Sequence, residues 1–115
     1  MNLHSITKKY LSSWNTRDKS TLQSIFAEDI TLQDWNVKVH GRENVINANA
    51  DIWENVPDIH VLLMHIGVCE KLKKSYAEIT VVSQKENLHI KVIDVISFDK
   101  NNKIIKVDAF HQEST

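Results

Sequence analysis

The chain has 115 residues, 42% hydrophobic and 25% charged, with a formal net charge of −1. That size predicts one domain over residues 1–115 with a core that needs no disulfide or structural metal, and the single Cys69 excludes an intrachain disulfide. The longest basic clusters are Lys8–Lys9 and Lys73–Lys74, too short for a nucleic-acid footprint. No apolar run approaches the roughly 20 residues of a membrane span. "MNLHSITKKY" has no apolar signal-peptide core, so a cytoplasmic protein is expected.

Leu3, Ile6, Tyr10, Leu11 and Trp14 recur at spacings of three and four, which predicts a first helix with one apolar face. Asn15 and Thr16 break it, and Asp18 caps a second helix that turns Leu22, Ile25 and Phe26 inward and ends near Asp29. A short strand follows at Ile30–Trp35 and another at Val37–His40. Gly41 opens a third helix carrying Val45, Ile46, Ala48, Ile52 and Trp53, and Pro57 prevents it from continuing.

The period then changes. Ile59–Cys69, Tyr76–Ser83, Leu88–Phe98 and Lys103–His111 are β-branched, partly alternating runs joined by short polar turns, which predicts an antiparallel meander and an α+β architecture. In "LHIKVIDVISF", Leu88, Ile90, Val92, Asp94, Ile96 and Phe98 share a face. Asp94 is therefore a carboxyl on an otherwise apolar surface, costly to bury as an ion.

"FAEDITLQD", "HGRENV", "VIDVISFD" and "KIIKVDAFH", in this order of helices and strands, resemble the nuclear transport factor 2-like superfamily. Within it the chain is similar to ketosteroid isomerases and SnoaL-like proteins. The resemblance implies a cone-shaped α+β fold, three N-terminal helices packed in a curved, mainly antiparallel sheet. It also implies homodimerisation through the sheet and no cofactor. Ketosteroid isomerases use a Tyr on the first helix, an Asp after the first strand and an Asp on the third long strand. Tyr10, Asp34 and Asp94 stand at the matching places. Where such enzymes carry further aromatics, this chain has Asn49, Ala77 and His111, and Trp35 replaces the usual Pro after the base. The pocket wall thus differs while the polar trio is kept.

Such a trio implies enolisation, with double-bond isomerisation of a small apolar carbonyl compound. Asp34 would be the base, and Tyr10 with a protonated Asp94 would donate to the carbonyl oxygen as its charge grows. That a carboxylic acid can be kept neutral by an apolar site is general knowledge of the isomerase itself. Trp14, Trp35, Val92, Val107 and His111 are expected to line the ligand pocket. Each residue also has a plainer role. Asp94 fits a hydrogen-bonded structural acid, Asp34 a turn, Tyr10 and Trp14 core packing, and His111 a rim position. Two other functions fit the same chain: a non-catalytic SnoaL-like binding module, and a dimeric interaction module using Ile93 and Val95 on the outer sheet face. No metal site is expected, since the six His include no pair two or four apart.

Overall fold

The computed structural model describes residues 1–112. Helix α1 spans Leu3–Thr16. Asn2 caps it by accepting from the Ser5 N–H at 2.8 Å, and its buried stripe is Leu3, Ile6, Tyr10, Leu11 and Trp14, with Thr7 and Ser13 between. It runs through Asn15 and Thr16, the expected break, and is capped at Arg17, which takes a left-handed conformation (φ 58°) and returns its N–H to Ser13 and Trp14 carbonyls. Arg17 then acts as a clamp. Its guanidinium donates to the carbonyls of Pro57 and Ile59 and lies over the rings of Trp14 and Trp53.

Helix α2 is Lys19–Ile25, capped by Asp18 through the Thr21 N–H. Here the expected boundary is wrong. The chain turns extended at Phe26, and β1 runs Phe26–Gln33, so "FAED" begins a strand and does not close a helix. Phe26 is buried whichever way the backbone continues, so its hydrophobicity could not distinguish the two. Strand β2 (Lys38–His40) pairs back on β1, and Gly41 joins it to α3 (Arg42–Asn55). Gly41 has φ 97°, which a side chain would strain, and its N–H reaches the Ile30 carbonyl at 2.8 Å.

The second half forms β3 (His60–Cys69), β4 (Lys74–Ser83), β5 (Leu88–Phe98) and β6 (Ile104–His111). Lys73, Asn87 and Asn102 hold left-handed positions in the three connecting turns. The strands pair in the order β2-β1-β6-β5-β4-β3, antiparallel except for β1 against β6, which is parallel.

The expected cone, with three N-terminal helices in a curved, mainly antiparallel sheet, is therefore corrected. Two helices precede the first strand, and the third follows β2. The sheet is a mixed, six-stranded, open one, with β2 and β3 as its edges. The parallel pair arises because the chain leaves β1, crosses through α3 and the meander, and returns beside it. Strand period reports a strand's faces and not its neighbours, so this pairing left no trace in the alternation.

The core lies between the helices and the even-numbered face of β5. Leu22, Ile30, Val45, Ile96 and Ile104 are wholly buried there. A buried polar contact, Thr7 Oγ1 to Ser75 Oγ at 2.6 Å, ties α1 to β4.

Candidate functional site

Strand alternation carries Asp94 into the interior with Val92 and Ile96, as the odd face of β5 turns His89, Lys91 and Ile93 to solvent. Its direct cross-strand neighbours are Ala77 on β4 and Ala109 on β6. Two small side chains thus leave space beside the carboxyl. Burial, and then the negative charge of Asp34, raise its pKa from 3.8 to about 7. Tyr10 reaches the same region from α1, its ring 5.8 Å from that of Phe26. Burial, and then the charge of Asp94, push the Tyr10 hydroxyl well above its ordinary value, so it stays a neutral donor. Among the described residues, no hydrogen bond to a protein group contributes to either shift. Both groups are therefore available to a ligand.

Asp34 follows the last residue of β1. Its Oδ1 accepts from the N–H groups of Asn36 (2.7 Å) and Val37 (2.8 Å), while its own N–H donates to the Val37 carbonyl (2.9 Å). The turn role and the site role coexist. The turn fixes one carboxylate oxygen, and Oδ2 has no protein partner among the described residues. Gln33 pairs with Asp108, so Asp34 comes level with Ala109, which pairs with Asp94. Two strand spacings, roughly 10 Å of backbone separation, lie between the carboxyl-bearing chains. Ala109 lies on the strand between them and lines the same cavity as both carboxyls.

All three polar groups line one cavity of about 240 Å³. Its apolar wall includes Trp14, Leu32, Ile79, Val92 and Val107, and Trp35, 43% exposed, stands on its rim. The tryptophans border the space and do not fill it. His111 is not on the wall. Its ring packs against Trp35, with centroids 4.0 Å apart, so the side chain expected in the cavity instead supports one that is.

Asn49 on α3 had appeared only as a missing aromatic. It is buried, lines the cavity, and accepts a hydrogen bond from Trp14 Nε1 at 3.1 Å. The available signal was its position one turn before Trp53 and three after Ile46, on the apolar stripe of α3. Among the described residues no group of three or more His, Cys, Asp or Glu could hold a metal ion. No helix among them is long and apolar enough to cross a membrane.

Similar architectures are known. A proposed isomerase of the SnoaL-like family from Agrobacterium tumefaciens str. C58 superposes with a TM-score of 0.83 at 18% identity, over 98% of this chain and 100% of the other. A proposed ketosteroid isomerase from Kribbella flavida DSM 17836 gives 0.83 at 13% identity, covering 98% and 79%. A protein of unknown function with a cystatin-like fold from Methylobium petroleophilum PM1 gives 0.88 at 11% identity, covering 98% and 77%. At these identities the likeness establishes the fold. A comparison with curated proteins finds no match. The family model described as the SnoaL-like domain matches residues 7–107, and the chain belongs to that family.

Proposed function

We propose that the protein binds a small apolar ketone and catalyses its enolisation, moving a β,γ double bond into conjugation with the carbonyl. One observation carries this reading. A buried carboxyl, pushed up to about 7, shares a cavity with a neutral tyrosine and with a second carboxyl whose free oxygen faces no protein partner. Isomerase descriptions attached to structures of the same fold support it.

Asp34 Oδ2 removes a proton from the α-carbon, and the electron pair moves onto the carbonyl oxygen. Tyr10 and protonated Asp94 donate to that oxygen as its charge develops. The proton then returns to the γ-carbon, the electrons shift back, and Asp34 is regenerated. No external reactant is consumed. A cavity of about 240 Å³ lies just below the roughly 300 Å³ at which drug-sized pockets begin, which favours a substrate of one or two rings.

Tyr10→Phe removes one donor and little volume. Turnover of a small β,γ-unsaturated ketone, followed by the absorbance of the conjugated product, should fall ~100- to 1,000-fold. Unchanged turnover in a folded Tyr10→Phe protein would exclude Tyr10 from the oxyanion site.

The outer sheet face supports a homodimer as a second part of the proposal. Ile93 and Phe110 are cross-strand partners, 39% and 56% exposed, and Tyr76 pairs with Val95 in the neighbouring row. Phe110→Glu should shift sedimentation equilibrium to the monomer, and a wild-type monomer at all concentrations would remove the dimer from the proposal.

A further inference from the structure

Asn49 has one amide atom accounted for and one not. Indole N–H can only donate, so the 3.1 Å contact from Trp14 Nε1 identifies the Asn49 atom there as Oδ1. Its Nδ2 is then left buried with no partner among the described residues, in a residue only 3% exposed. Leaving a buried donor unmatched is costly, and an acceptor that enters the cavity recovers that cost. Trp53 Nε1, one turn further along α3, is also unmatched, but Trp53 does not line the cavity. Of the two, only Asn49 stands on the cavity wall. Its terminal torsion is soft and turns Oδ1 and Nδ2 together, so a modest rotation brings Nδ2 toward an acceptor while the Trp14 contact lengthens.

We propose that Asn49 determines specificity, its Nδ2 donating to a second oxygen of the ligand, separate from the carbonyl oxygen held by Tyr10 and Asp94. This rests on the enolisation reading for the first oxygen only. The ligand class is a compact apolar ketone with a second carbonyl or ether oxygen, small enough for a cavity of about 240 Å³. A hydrocarbon pocket alone would accept the monoketone equally well. A site built around a buried donor rejects the compound that leaves it unpaired.

The test compares trans-decalin-1,5-dione with 1-decalone, a matched pair differing in the second oxygen. Binding is measured by tryptophan fluorescence, and the Asn49 side-chain amide is followed in ¹H–¹⁵N spectra. Wild type should bind the dione ~10- to 100-fold more tightly, with the Asn49 amide protons shifting downfield for the dione alone. In Asn49→Leu the preference should collapse toward parity. Equal binding of the two ketones by wild type, or a preference that survives in folded Asn49→Leu, would overturn the proposal. The wild-type comparison decides the matter even if Asn49→Leu does not fold. Because binding is read and not turnover, discrimination without catalysis would defeat the enolisation reading and leave the role of Asn49 standing.

Discussion

Asp34→Asn should lower turnover of a small β,γ-unsaturated ketone by ~100- to 10,000-fold, the range for a positioned general base. The substitution is nearly isosteric. Asn can still accept from the Asn36 and Val37 N–H groups, so the turn after β1 should persist and the melting temperature should change little. A second readout separates loss of the base from general damage. The charge of Asp34 is one of the two causes that raise Asp94 to about 7. Removing it should lower the Asp94 midpoint in carboxyl ¹³C NMR, leaving burial as the remaining cause. Full activity in Asp34→Asn, with that midpoint displaced, would place the base elsewhere.

Asp94 should give the protein a stability that declines as pH rises. Its pKa is 3.8 as a free side chain and about 7 in the fold. Below the first value both folded and unfolded chains hold the proton, and the group adds no penalty. Between the two, the native state binds more protons than the unfolded one, so stability falls with pH. Above about 7 the whole cost of a buried charge is present. The gap from 3.8 to about 7 corresponds to roughly 4 kcal/mol. Asp94→Asn stays neutral throughout and should be the more stable protein under alkaline conditions, by an amount bounded by that figure. Urea unfolding at about pH 5 and about pH 9 checks this, with the slope present in wild type and reduced in the variant. Turnover should follow the same proton. Wild-type activity should decline as pH rises through about 7, where Asp94 ceases to donate, whereas Asp94→Asn keeps an N–H donor and should be flat there. A wild type with neither slope would show that Asp94 is ionised across the range.

The features readable in the sequence were those set by a single element's period. Alternation in "LHIKVIDVISF" was enough to turn Asp94 inward, and the spacing from Leu3 to Trp14 was enough to put Tyr10 on the buried stripe of α1. Placing Asp34 beside them required the family resemblance, because its own signal is that of a turn. Features set between elements were not readable. The β1–β6 pairing depends on which surfaces meet. His111 shares the inward register of Val107, but the cavity wall at that point belongs to Trp35, a side chain from another strand's end. Asn49 looked like an absence, since a polar residue on an apolar stripe gains meaning only once Trp14 is known to hold it.

The parallel seam between β1 and β6 also fixes when the cavity can exist. Phe26 meets Ile104 and Gln33 meets Asp108, so the seam joins segments from near opposite ends of the polypeptide. Closing so long a loop carries a large entropic cost, which the local hairpins of the meander avoid. A growing chain on the ribosome can pair β3, β4 and β5, and can close the β1–β2 turn around Asp34, yet nothing links β1 to β5 until β6 emerges. The two carboxyls thus take up their arrangement only once β6 has joined the sheet.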